Sequence, residues 1–321
     1  MSPQPFPKIP YYRGEADPLH LIDRVVCMEK IDGTNTRIGV PVDAQSMDDI
    51  LIGGRTRMAS DPGFNQSFLV DLFRNNHDLC QRMVDWTAAA GRPLTIYGEV
   101  CGARIQKMGL IYGARPHFLL FAARLGEAWL GWSRAVPPPP RQDPIPTLKQ
   151  LSAQLQLPMA PILYEGPPQN TVFDDLREQT SQHSLDQGFS RPGVDQTHEG
   201  IVIWSDPVLR DPWGTPLVAK HKPDRRREYH PPRESDRSPQ DFAKRAVTEE
   251  RLLHARQHLE ERGRWTGSPD RDHPALVKRV IQDVSREVDE YQDQLRAHGK
   301  QAVRAALKAR ARELLSTPLS P

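Results

Sequence analysis

The stretch EKIDGTNTRI, Glu29–Ile38, decides how the chain is read. It follows the apolar run Val25-Val26-Cys27-Met28, so Lys30 stands at the end of a strand and two residues before an Asp32-Gly33 turn. An Asp-Gly pair suits the tight turn of a hairpin. That reading explains the turn but not a lysine held at the end of an apolar strand. A desolvated lysine favours its neutral amine and becomes a usable nucleophile. Whether this is a surface turn or a reactive amine depends on what the rest of the chain supplies.

With 321 residues the chain can form two ordinary domains. No apolar run reaches the roughly eighteen residues of a spanning helix, and MSPQPFPKIPYYRGEAD lacks the layout of a signal peptide. The cysteines Cys27, Cys80 and Cys101 form no C-x-x-C pair, which indicates neither a zinc site nor a disulfide framework. A reducing, cytoplasmic setting without membrane attachment is expected. Net charge is only +2, so bulk charge does not announce a nucleic-acid binder. Locally, Lys220 to Arg237 holds seven Lys/Arg against four Asp/Glu, either a solvated linker or a phosphate-binding segment.

Up to about residue 222 the chain reads as short strands between turns: RVVCMEKI, LTIYGEV, HFLLFAARL, AWLGWS, GIVIWS and PLVAKHK. Phe64 to Ala90 carries apolar residues at helical spacing, and the proline-rich Pro137–Pro146 reads as a surface loop. From Ser238 the period changes to three amphipathic helices: Ser238 to Gly263, about Pro274 to His298, and about Lys300 to Leu315. The expected fold is therefore α+β. A domain of antiparallel sheets with flanking helices (1–236) precedes a small all-α domain (237–321).

Three further stretches stand out downstream of Lys30. IYGEVCG puts Glu99 at the end of a strand, HEGIVIW puts Glu199 at the start of one, and VAKHKP alternates Lys220 and Lys222. A lysine for attack, carboxylates for a sugar or metal, and two lysines for phosphate make a coherent nucleotidyl-transfer site.

The order K-x-D-G, aromatic-Gly-Glu, E-G-I-V-I and K-x-K resembles the covalent nucleotidyltransferase superfamily of ATP- and NAD-dependent ligases and mRNA capping enzymes. KIDGTN near the N-terminus and the helical C-terminal segment resemble the RNA ligases of the nick-sealing type. The motifs cover Phe6 to about Lys222. The resemblance implies that Lys30 attacks the α-phosphate of ATP to give lysyl-AMP. It further implies that Glu29 reads the adenine edge, Phe121 stacks on adenine, and Glu99 binds the ribose. Glu199 would serve Mg²⁺, with Mn²⁺ as a substitute, and Lys220 and Lys222 would hold the α-phosphate. Arg55 would contact nucleotide phosphate or RNA, with Arg57 as the alternative. Asn35 would place the nucleic-acid end, and Arg225, Arg226 and Arg227 would meet its backbone. Ala122 follows Phe121 where many relatives carry Asp, which makes Phe118 the competing stacker.

A free lysine is protonated at neutral pH and cannot attack phosphorus. Cationic neighbours favour the neutral amine and also stabilise charge on the transferring phosphate. The sequence thus leads to the expectation of an ATP-dependent ligase of RNA ends, nicked duplex first, acting in RNA repair beside separate end-healing enzymes. A DNA ligase, a capping-type nucleotidyltransferase and a non-catalytic RNA-end binder are the alternatives. No closing oligonucleotide-binding barrel is evident, which weighs against the first two. The intact lysine and carboxylate motifs weigh against the third.

Overall fold

The computed structural model describes residues 3–62, 64, 66–102, 105–106, 108–132, 146–189, 194–211, 214–223, 226, 238–288 and 290–316. The chain divides into two compact units: Met1–Pro62 with Gln66–Lys222, and Pro223–Pro321 with Gly63–Asn65. It is mixed α+β, with antiparallel sheets in the first unit and helices in the second.

The first unit holds the strands β1 (Val25–Glu29), β2 (Thr34–Val40), β3 (Leu51–Gly54), β4 (Leu94–Cys101), β5 (His117–Leu125), β6 (Ala128–Trp129), β7 (Ile162–Gly166), β8 (Ile201–Ser205) and β9 (Val218–His221). Its helices are α1 (Ser67–Arg74), α2 (His77–Ala90), α3 (Leu148–Leu155), α4 (Asn170–Arg177) and α5 (Gln182–Asp186). The strands form two sheets, ordered β7-β1-β8-β9 and β3-β2-β4-β5-β6, and neighbouring strands in each run antiparallel.

The Asp32-Gly33 turn therefore closes no hairpin. β1 lies in the four-stranded sheet and β2 in the five-stranded one. The turn passes the chain between sheets and leaves Lys30 where they meet. A Cβ on Gly33 would stand 2.6 Å from the Val100 carbonyl oxygen, so only glycine lets the turn approach β4 this closely.

β1 is buried from Val25 through Glu29 because both of its faces are covered. Val25 and Cys27 pack with Ile201, Ile203, Leu19 and Phe173, the last carried by α4. Across the sheets, the Phe6 ring meets Tyr97, Phe121 and Trp129 on one side and Trp204 on the other, all edge-on, with centroids 5.0 to 5.9 Å apart. Full burial of such a side chain contributes about 1.5–3 kcal/mol, so the buried Phe6 ring helps tie the two sheets together.

The second unit contains α6 (Pro239–Ala246), α7 (Glu249–Glu261), α8 (Pro269–Glu287) and α9 (Glu290–Leu315) around a core that includes Phe242, Leu252, Leu276, Val280, Val284, Val303 and Leu307. The segment expected as one helix over Ser238–Gly263 is two, because Thr248 caps a new start by accepting from the Arg251 amide. The second helix begins at Pro269, earlier than Pro274, since Ser268-Pro269 carries the cap-then-proline pattern first. Gly299, with φ 78° and ψ 153°, breaks α9 where the sequence places a boundary. Likewise Phe64–Ala90 yields α1 and α2, with Asn76 capping the second through the Leu79 amide. Among the described residues no helix is long and apolar enough to cross a membrane.

One position beside the site has a large expected effect on stability. Gly200 has φ +142°, and a Cβ there would stand 2.4 Å from the His221 carbonyl oxygen. Gly200→Ala strains the backbone by about 1–3 kcal/mol before the clash is counted. Denaturant unfolding of the variant is expected to show at least that loss. An unchanged midpoint would mean that β8 and β9 do not approach this closely.

Candidate active site

Lys30 lies just past the end of β1, and its backbone amide donates to the Gly200 carbonyl at 2.8 Å. That bond sets its ammonium beside Glu199, Nζ to Oε2 2.5 Å. The other carboxylate oxygen of Glu199 meets Lys222 Nζ at 2.7 Å. Glu199 and Lys222 are almost inaccessible, at 4% and 1% exposure, whereas the Lys30 side chain keeps 22%. A single buried carboxylate thus joins two lysines, with the less buried one facing outward. Buried charges persist only when paired in this way, because an unpaired one costs several kcal/mol.

Glu99 approaches from the other sheet. It sits opposite Asn35 in the β2–β4 register, and Asn35 Nδ2 donates to its Oε1 at 3.2 Å. Burial pushes the Glu99 carboxyl up to about 7, against the pull of Lys30 and the Asn35 bond. Among the described residues, Glu99 Oε2 and Asn35 Oδ1 are buried acceptors that receive no hydrogen bond. Buried polar atoms of this kind are uncommon, and two of them on facing residues make a receptor for hydroxyl donors.

Glu29 is engaged differently. Ser181 Oγ donates to Oε1 at 2.5 Å and the His183 amide to Oε2 at 2.9 Å, so its carboxylate holds the start of α5. Burial raises this carboxyl to about 7, and the donors from α5 oppose the shift. Asp32 Oδ2 accepts from the Met108 amide at 3.2 Å, and the Asp32 amide donates to Tyr112 Oη at 3.3 Å, which fixes the turn.

The remaining sequence candidates scatter around this centre. Lys220 Nζ lies over the Tyr11 ring, 4.4 Å from its centroid, so the two lysines of VAKHK have different partners. Phe121 is half-buried against Phe6, while Phe118 is buried against Phe73 of α1. Arg55 is exposed just past β3 and acts on the Glu99 charge; Arg57 donates to the Pro62 carbonyl at 2.9 Å. The Arg226 amide donates to the Pro223 carbonyl, and Arg225 and Arg227 lie outside the described residues. His198 Nε2 donates to the Leu176 carbonyl at 2.8 Å, while His221 bonds Asp174; both histidines brace the strands.

Sequence reasoning missed Ser181, His183, Tyr112 and Tyr11. Ser181 carried a local signal, since it caps α5 by accepting from the Ser184 amide. Nothing in the sequence ties that cap to Glu29, which is far away along the chain.

The site thus sets a lysine between two antiparallel sheets, with a carboxylate from each. A family model described as RNA ligase matches residues 23–207, more than half of the chain, and the chain belongs to that family. Among solved structures it is similar to the RNA ligase of Naegleria gruberi with pyrophosphate, at 15% identity and TM-score 0.48, covering 69% of this chain and 56% of that one. A variant of the same ligase with ATP and Mn gives 14% identity and TM-score 0.47, covering 69% and 57%. The chain thus spans a little over half the length of these structures. No curated protein matches it.

Proposed function

We propose that this protein is an ATP-dependent RNA ligase that joins 3′-hydroxyl and 5′-phosphate ends. The observation that carries the reading is Glu199 bound at once to Lys30 and Lys222. In the first step Lys30 Nζ attacks the α-phosphorus of ATP, the bond to the β-phosphate oxygen breaks, and pyrophosphate leaves. The AMP then passes to the 5′-phosphate of an RNA end. Attack by the 3′-hydroxyl seals the strand and releases AMP.

Lys222 and Lys220 neutralise the α-phosphate oxygens, where charge accumulates. Glu99 Oε2 and Asn35 Oδ1 fit the ribose hydroxyls as donors, and Asn35, at the start of β2, also helps place the RNA end. Phe121 supplies the stacking ring, and Glu29, its carboxylate engaged by α5, reads the adenine edge through its backbone. Arg55 meets the nucleotide phosphate or RNA; Arg57, Arg225, Arg226 and Arg227 meet the RNA backbone. Mg²⁺ or Mn²⁺, when bound, screens the phosphates, and the Glu199 carboxylate suits a hard cation that needs only one or two such ligands. The biological setting we assign is repair of nicked RNA duplex in the cytoplasm, alongside separate end-healing enzymes.

Incubation with labelled ATP, GTP or NAD and Mg²⁺ tests the core of this reading. A covalent label from ATP alone is expected. Label from GTP would indicate a capping-type enzyme, and no label would leave only a binder.

We also assign adenylylation to residues 1–236 and RNA binding to residues 237–321. Arg304, Lys308 and Arg312 recur every four residues on α9 and are exposed, a stripe suited to phosphates; Arg310 pairs with Glu313 at 2.9 Å. The helical segment has sixteen Lys/Arg against thirteen Asp/Glu from Asp241 onward, so this stripe, not bulk charge, is the candidate surface. Truncation near residue 236 is expected to leave ATP labelling largely intact and to reduce nick sealing far more. Sealing at the full-length rate by the truncated protein would overturn the assignment.

A further inference from the structure

Three side chains outside the proposed chemistry converge on one point. Cys101 closes β4, His117 opens β5, and His183 lies in α5. His117 Nε2 is 3.4 Å from Cys101 Sγ and 2.8 Å from His183 Nε2, and the three ligand atoms all lie within 4.8 Å of one another. Cys101 and His183 are buried, while His117 is partly open to solvent. We propose that Cys101, His117 and His183 bind a zinc-class transition-metal ion, with water as the fourth ligand entering beside His117.

Two of the three edges fit after small adjustments, and the third, between Cys101 and His183, lies within 4.8 Å and closes toward about 3.6 Å on binding. Zn–N bonds of about 2.0–2.1 Å and a Zn–S bond of about 2.3 Å imply tetrahedral edges of about 3.3 Å between nitrogens and about 3.6 Å from nitrogen to sulfur. The His117–His183 contact must open by about half an ångström, and the Cys101–His117 contact by far less. The His117 ring already has the orientation a ligand needs. Its Nδ1 donates to the Arg115 carbonyl at 3.1 Å, and since a carbonyl only accepts, the Nε2 lone pair faces the cluster. The buried His183 ring lies against the His117 ring, with centroids 4.9 Å apart. Binding transfers the Cys101 thiol proton to solvent as the S–metal bond forms. The His183 Nε2 proton relocates to Nδ1, and nothing is oxidised or reduced.

Ligand chemistry separates this site from Glu199. A thiolate and two imidazoles select Zn²⁺ or Co²⁺ over Mg²⁺, which prefers oxygen. Its place gives it a structural role. It would pin α5 to the β4–β5 pair, and α5 is the element that holds the Glu29 carboxylate.

The test uses the full-length protein, stripped with chelator and titrated with Co²⁺. One equivalent is expected to give intense tetrahedral d–d bands and a thiolate charge-transfer band. Zn²⁺ should displace that signal, and excess Mg²⁺ should not. Cys101→Ser should abolish the charge-transfer band, and His117→Ala, at a partly exposed position, should weaken binding at least tenfold. Absence of the charge-transfer band in the wild type would overturn the proposal. So would its persistence in Cys101→Ser, which would trace it to Cys27 or Cys80, or full Co²⁺ affinity in His117→Ala.

Discussion

Lys30→Ala is expected to lose all ATP-dependent labelling while melting within a few degrees of the wild type. The two halves of that expectation have separate physical origins. The phosphoramidate needs the Lys30 Nζ lone pair, because the neighbouring Lys222 amine is buried and paired with Glu199. Stability changes little because the Lys30 side chain is partly exposed, and Glu199 keeps its tie to the more buried Lys222. Lys30→Arg should be equally silent, since guanidinium stays charged at any working pH. The same Ala variant should still seal an RNA nick whose 5′-phosphate already carries AMP, because that step forms no bond to Lys30. Gel labelling and mass spectrometry of the intact chain read the first result, and a sealing assay on adenylylated nick reads the second. Label retained in Lys30→Ala would sink the nucleophile assignment.

Much of this site is legible in the sequence for a simple reason. Lys30, Glu99 and Glu199 each lie at or beside a strand end, so short local patterns mark them even though the chain brings them together from far apart. β1, β4, β5, β8 and β9 all show as apolar or alternating runs, because burial on one or both faces writes itself directly into side-chain type. β2, β3 and β7 are not legible. TNTRIGV mixes polar residues into a buried strand: Thr36 bonds back to the Thr34 carbonyl and Arg37 Nε meets Met58 Sδ, while among the described residues Asn35 Oδ1 and Arg37 Nη1 receive no partner, so polarity there does not report exposure. β7, ILYEG, is short and mostly half-buried, so it lacks the apolar run that marks the other strands.

The Asp-Gly turn shows where local reading stops. The dipeptide marks a bend of the chain at Gly33, but the partner of each flanking strand is decided elsewhere. β1 is claimed by β7 and β8, and β2 by β3 and β4. Such pairings are long-range, and a turn signal carries no information about them. The Cys101–His117–His183 cluster was hidden for the same reason. Its spacing of sixteen and sixty-six residues from His117 matches no compact metal motif, and only the β4–β5 register, Cys101 opposite His117, brings the first two together.

Lys222 is expected to matter almost as much as Lys30, and its burial makes the test demanding. Losing a positive charge at the transferring phosphate should lower adenylylation by about 10²–10³. Yet Lys222 Nζ is also one of the cations that keep the Glu199 carboxylate paired inside the protein. Removing one partner of a buried ion pair costs about 3–5 kcal/mol, so Lys222→Met alone should both melt early and label slowly. A double variant separates the two effects. In Glu199→Gln with Lys222→Met the buried charges are removed together, and such replacements are often neutral for stability. The double variant should therefore recover most of the melting temperature lost by Lys222→Met and recover none of the labelling rate. A purely structural lysine would give the opposite pattern, with activity returning as the fold is restored. Thermal melts and single-turnover labelling with ATP, measured on the wild type, both single variants and the double variant, distinguish them. Labelling at the wild-type rate in Lys222→Met would remove Lys222 from the phosphate site and leave that role to Lys220, whose ammonium lies over Tyr11.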